Sequence, residues 1–186
     1  MMHRLDELSY VETPTCQAAD LPYGNSAFSM TVLLPKAGTD VEALAASLTP
    51  AMWQSLTASF QAREVDFDLP RLRLEYERRL NDDPKALGMV VPFTAGGADF
   101  TQMAAAPAGN QPFIDFVKQN TFVDINEEGT EAAAATTVGV SVTSMPVMPV
   151  MPVMPVMRVD RPYLFVLRER LTGTVLFIGK FVKMPG

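Results

Sequence analysis

Hydrophobic and polar positions along the chain change period several times, and each change marks an element. Residues 8–12 and 16–21 read as short strands around Thr13-Pro14, and Pro22-Tyr23-Gly24-Asn25 carries a turn signal. The run SAFSMTVLL at 26–34 is rich in β-formers and ends at Pro35, as a strand buried on both faces would. Val41, Leu44, Ala45 and Leu48 then fall at helical spacing behind Thr39-Asp40, a helix cap. Residues 50–60 predict a second helix, with Pro50 in its first turn and Trp53 facing inward.

Beyond residue 60 the period returns to two. Val65, Phe67 and Leu69 alternate with Asp66 and Asp68, and Leu72, Leu74 and Tyr76 alternate with Arg71, Arg73, Glu75 and Glu77. Both predict half-buried strands broken by Pro70. Residues 82–87 predict a short helix with Gly88 as its C-cap, and 94–110 a loop of small residues. Phe122-Val123-Asp124-Ile125 reads as strand. Residues 163–168 and 174–182 are apolar strands joined through Leu171-Thr172-Gly173, a hairpin signal. The reading is mixed α and β, with strands dominating the last third.

Between these elements lies the unusual segment. From Thr130 to Thr143 one face reads Thr130, Ala132, Ala134, Thr136, Val138, Val140, Val142 and grows steadily more apolar. The other, from Glu131 through Gly139 to Thr143, stays polar or small. This is a strand able to bury one face. Its start at 132–135 is nevertheless four alanines, which favour helix. A segment that can be a strand without local commitment to one suits a conditional structure. Four copies of Met-Pro-Val follow at 145–156, and a proline every third residue matches polyproline II. Such a tract cannot join a central strand, because each proline lacks a donor. The expectation is a potential strand ending near Thr143, then an exposed tether. The terminal hairpin is too small to fold alone and must pack back on the preceding body.

Composition narrows the function. With 48% hydrophobic residues in 186, one domain with a sizeable core is expected. A net charge of −6 argues against nucleic acid. The one cysteine, Cys16, reads as a buried structural thiol. Residues 1–20 carry no secretory pattern, and no apolar run is long enough for a membrane helix. The single histidine, His3, reads as a surface residue, and no serine–histidine pairing, metal-ligand spacing or phosphate loop points to an enzyme. Asp66, Asp68, Glu75 and Glu77 read as solvated strand faces.

Three stretches carry a family resemblance. The run from Phe122 through Glu127, Glu128, Gly129, Thr130, Glu131, Ala132, Ala133, Ala134 and Ala135 resembles the hinge leading into the reactive-centre loop of serpins. Pro162-Tyr163-Leu164-Phe165 with Thr172-Gly173-Thr174-Val175-Leu176-Phe177-Ile178-Gly179-Lys180 resembles the family's terminal hairpin, and Leu69-Pro70-Arg71-Leu72 its strand after the mid-chain helices. The chain is similar to the C-terminal half of an inhibitory serpin, prokaryotic members in particular. The resemblance implies an α+β serpin fold, several sheets with helices, of which the N-terminal helices and most of the central sheet lie upstream. It implies a reactive-centre loop at about 129–161 and a terminal hairpin at 162–184. The partner implied is a target protease, elastase-like or of broad specificity, serine or also cysteine. No cofactor, metal, nucleic acid or membrane segment is implied.

In such an inhibitor the protease cleaves the loop and stays attached while the freed hinge enters a sheet as a new strand. Counting from the hinge places the cleaved bond at Thr143–Ser144, where the strand pattern also ends. Val147–Met148, Val150–Met151 and Val153–Met154 are alternatives, and Arg158–Val159 would suit trypsin-like enzymes but lies far beyond the pattern. At about 0.5–1.5 kcal/mol per hydrogen bond, insertion of about 14 residues releases on the order of 7–20 kcal/mol, comparable to a domain's stability. The loop is about eight residues longer than the common family pattern, and growth from about 25 to about 33 residues costs only ~0.3 kcal/mol. Gln119 stands where many members have a histidine that gates the sheet. Two other readings stay open: a non-inhibitory serpin-like binding or structural protein, and a fragment inactive in isolation.

Overall fold

The computed structural model describes residues 2–103, 107, 111–125 and 154–182. They form two units, residues 1–72 with 125–186, and residues 73–124.

The first unit is built on a seven-stranded sheet. Its strands are β1 (Met2–Glu12), β2 (Cys16–Tyr23), β3 (Phe28–Pro35), β4 (Gln61–Leu69), β7 (Val156–Arg158), β8 (Tyr163–Glu169) and β9 (Val175–Phe181), in the order β7-β4-β1-β2-β3-β8-β9. β3 is buried at every position but its first, which explains an apolar run without alternation. On one face lie helices α1 (Val41–Ser47) and α2 (Pro50–Ala58). Asp40 caps α1 by accepting from Ala43 N at 2.6 Å, and Thr49 caps α2 by accepting from Met52 N at 3.2 Å. Under them Cys16, Ala18, Leu33, Leu44, Leu56, Leu164 and Val166 form the core, with Trp53 partly buried against it. Cys16 is a buried free thiol, as its lone occurrence predicts.

At the α2 edge of this core lies a buried ion pair. Asp20 accepts from Thr31 Oγ1 at 2.6 Å and from Arg168 Nη2 at 3.0 Å, and the Arg168 guanidinium stacks 5.7 Å over the Trp53 ring. Arg168 Nε has no hydrogen-bond partner among the described residues. β8 is held on both sides: Phe28–Leu33 of β3 pair with Leu164–Glu169, and β9 pairs along the other edge with Phe165 opposite Gly179. β9 ends the sheet, and Val175, Leu176, Phe177 and Ile178 are all exposed on it.

The second unit contains most of β5 (Leu72–Arg79), α3 (Asp82–Ala86), a 3-10 turn at Val91–Phe93, and β6 (Lys118–Ile125). β5 and β6 pair as a two-stranded sheet. Gly88 ends α3 at φ +96°, with its N–H on Lys85 O at 3.0 Å, the C-cap its position predicts. β5 departs from expectation. Leu72 is buried, but Tyr76 is 48% exposed and the strand is mostly open, because a two-stranded sheet has little surface to cover a face.

Two boundaries also differ. β1 extends six residues upstream of the strand expected at 8–12, since Met2 to Tyr10 ladder in full against β4. The turn predicted from Pro22 lies later, at 24–27: Pro22 and Tyr23 remain in β2, and Gly24 and Ser26 take positive φ.

Candidate functional site

The site implied by the sequence is the segment joining β6 to β7. Residues 126–155 connect the end of β6 at Ile125 to the start of β7 at Val156. The hinge residues Glu127, Glu128, Gly129, Thr130, Glu131, Ala132, Ala133, Ala134 and Ala135 lie outside the described residues, as do Thr143, Ser144, Val147, Met148, Val150 and Met151. Its two anchors are described.

The upstream anchor is β6. Its Lys118 Nζ pairs with Glu77 Oε2 on β5 at 2.7 Å, and the Arg73 guanidinium stands 5.5 Å over the Phe122 ring. These cross-strand contacts, each worth under about 1 kcal/mol at the surface, hold β6 beside β5. Gln119 is exposed and donates to Thr121 Oγ1 at 3.2 Å. The strand expected at Phe122-Val123-Asp124-Ile125 is the end of β6, and Ile125 is buried.

The downstream anchor is β7, which runs parallel to β4 with Asp66 opposite Val156 and Asp68 opposite Arg158. Asp66 N donates to Pro155 O at 3.0 Å, Val159 N to Asp68 O at 2.8 Å, and Gln17 Nε2 to Val156 O at 3.0 Å. Met157 and Val159 are fully buried. The Met-Pro-Val tract therefore does not stay a free tether to its end: its last copy enters a strand. That is compatible with its prolines because β7 is an edge strand and Pro155 contributes its carbonyl rather than the missing N–H. The Arg158–Val159 bond lies at the end of this ladder, with Arg158 exposed and Val159 buried.

Sequence reasoning missed what fastens this anchor. Asp66 and Asp68 are not a freely solvated face: their side chains are 22% and 17% exposed. His3 Nδ1 lies 2.9 Å from Asp68 Oδ1 and 3.4 Å from Asp66 Oδ1, and Arg158 Nε lies 3.5 Å from Asp68 Oδ2. Register is the missing signal, because His3 sits directly across from Asp68 only once β1 and β4 are aligned. The ligand atoms of His3, Asp66 and Asp68 all lie within 4.8 Å of one another and have metal-binding atom types. Arg158 already occupies the second oxygen of Asp68. His3 itself is 65% exposed, the surface position expected of it.

The chain as a whole has counterparts among known proteins. A family model described as Serpin (serine protease inhibitor) matches residues 1–184. The chain belongs to the serpin family. A thermophilic serpin, Tengpin, in its native state superposes with a TM-score of 0.77 at 26% identity, covering 98% of this chain and 46% of that one. A thyroxine-binding globulin in complex with thyroxine gives the same TM-score at 22% identity, which speaks to fold alone. Among curated relatives, Serpin-ZXA of Oryza sativa subsp. japonica is 34% identical over 179 residues, 95% of this chain and 42% of its own length. The leukocyte elastase inhibitor of Homo sapiens is 34% identical over 178 residues, 92% of this chain and 45% of its own. A serine protease inhibitor of Cyanea capillata is 32% identical over 185 residues, 97% of this chain and 46% of its own. This serpin chain thus spans less than half the length of the curated relatives it matches. Those relatives include plant and animal proteins, so the likeness extends well beyond prokaryotic members. The fold class expected from the sequence, part of an α+β serpin domain, holds. The relatives' names are those of inhibitors rather than catalysts, and no described helix is long and apolar enough to cross a membrane.

Proposed function

We propose that the polypeptide containing this chain inhibits a serine protease, or also a cysteine protease, by offering the segment at about 129–161 as substrate and inserting the freed hinge into a β-sheet. The hairpin at 162–184 stays behind in the body. One observation carries the reading. A run with period-two faces and four consecutive alanines begins at Thr130, shortly after the strand β6 ends at Ile125, and the chain returns at a second strand, β7. A segment continuing a strand already in a sheet needs only to extend its neighbour's ladder to become part of one. Small side chains at Ala132, Ala133, Ala134 and Ala135 lower the barrier to entry, and Glu131 falls on the face that keeps its charge in water. The bond cut is Thr143–Ser144, with a small residue on its acyl side that fits elastase-like enzymes. The leukocyte elastase inhibitor among the relatives supports that target class.

The test is to mix the full-length polypeptide with elastase-, subtilisin- and papain-type proteases. An SDS-resistant complex is expected with at least one, together with a peptide whose mass begins at Ser144. The cleaved protein should also resist heat better than the intact one. Cleavage without a complex for every enzyme would transfer the assignment to the non-inhibitory reading.

A further inference from the structure

A cleft of about 580 Å³ opens between α2, the β1–β2 turn and the start of β4, all within the first unit. Its size falls within the range of small-ligand sites. One wall is aliphatic, formed by Val11, Pro14, Met52 and Leu56. The other is polar, and its charges are unevenly matched. The Glu12 carboxylate is held by Lys36 Nζ at 2.7 Å and by Tyr10 Oη at 3.4 Å, and the Lys36 contact keeps its pKa below the usual carboxylate value. Tyr10 in turn accepts from Gln17 Nε2 at 2.9 Å. Arg63 on the same lining has no carboxylate within salt-bridge distance among the described residues; its recorded bond is to Gln61 Oε1 at 3.4 Å. The cleft therefore offers, beside an apolar wall, a guanidinium that the Glu12 carboxylate feels only beyond salt-bridge distance, as a minor influence behind Lys36. Tyr10, its one ring, is 1% exposed and so gives little face for stacking.

We propose that this cleft binds small amphipathic carboxylates with a linear aliphatic body. The chain lies along Val11, Pro14 and Met52, and the carboxylate takes the two-pronged hydrogen bond a guanidinium supplies. A bare anion would forgo the wall, and a neutral alcohol would leave Arg63 unmatched. The site is independent of the loop and of protease trapping.

Octanoate is the probe, with 1-octanol as its uncharged counterpart and the full chain carrying ¹³C-methyl methionine. At a ligand efficiency of roughly 0.3 kcal/mol per heavy atom, about ten atoms give a Kd on the order of several millimolar. Octanoate should move the Met52 methyl signal saturably, with 1-octanol at least about fivefold weaker. Arg63→Gln should weaken octanoate about tenfold and leave 1-octanol unchanged, while Arg63→Lys should stay within about threefold of wild type. Arg63 is exposed, so these variants leave the core intact. Equal binding of octanoate and octanol, or an Arg63→Gln variant that binds octanoate as wild type does, overturns the proposal. So does saturable binding that leaves Met52 unmoved.

Discussion

Replacing Gly179 by alanine should destabilise the fold out of proportion to one methyl group. Gly179 lies on β9 directly opposite Phe165 on β8. A Cβ there would enter the Phe165 ring, with Cζ and Cε1 nearer than any real contact and Cε2 at 3.0 Å. The ring has little freedom to withdraw, since Phe165 is only 6% exposed and its strand is paired on both sides. The glycine is needed for space and not for backbone freedom, because its φ lies outside the left-handed region. Overpacking of this kind costs about 1–3 kcal/mol. For a chain of this size each kcal/mol moves Tm by about 2–4 °C, so Gly179→Ala should lower it by about 2 to about 12 °C. Urea unfolding followed by tryptophan fluorescence would give the free energy, with Trp53 as the one reporter. Ile178→Thr, at a position 62% exposed, is the control and should change stability by less than about 0.5 kcal/mol. Shortening the ring in Gly179→Ala/Phe165→Leu should make the double variant more stable than the two single losses predict, by at least about 0.5 kcal/mol. A neutral Gly179→Ala, or strictly additive losses, would refute the steric argument.

Three further outcomes follow from described contacts or from the loop pattern. Arg168→Met leaves the Asp20 carboxylate buried with only Thr31 as side-chain partner, and should cost about 3–5 kcal/mol in urea unfolding. Pairing it with Asp20→Leu should recover most of that loss. Burial, with nearby Tyr23 as a lesser cause, pushes the Tyr163 phenol up to about 12 from 10.0. The folded state therefore holds this proton more tightly, a contribution fully present below pH 10 and lost on rising through about pH 12. The loss is about 3 kcal/mol, and Tyr163→Phe should remove that portion of the alkaline slope while costing little at pH 7, since the hydroxyl has no hydrogen-bond partner among the described residues. Identical slopes in the two proteins would contradict it. In the full-length polypeptide, Ala134→Glu sets a charge on the face expected to turn inward. It should cut the yield of SDS-resistant complex at least about tenfold while cleavage continues.

Local rules made some elements legible and tertiary pairing hid others. The two helices could be read because Asp40 and Thr49 are caps placed just before apolar residues at helical spacing. The alternation of Val65, Phe67 and Leu69 revealed β4, and all three are buried. The first half of β1 was not legible: Arg4 and Asp6 sit on its better-covered side, bonded to each other, while Leu5 is 55% exposed. Pairing with β4 decides that stretch, and pairing is a property of two segments at once. β7 was hidden for the same reason, being three residues long and preceded by proline. The family resemblance of the run from Glu127 to Ala135 was readable because it lies in small residues at fixed places. The clasp of His3, Asp68 and Arg158 at its far end was not, since it depends on register across three strands.

The position of β8 between β3 and β9 has a practical consequence. A nick anywhere in 126–153 would part the backbone but not the molecule, because the downstream piece supplies an interior row of the large sheet and half of the Asp20–Arg168 pair. Gel filtration and native mass measurement would report one particle of unchanged size. Only denaturation would divide it in two, so a preparation can be wholly cleaved and still look pristine by every gentle method.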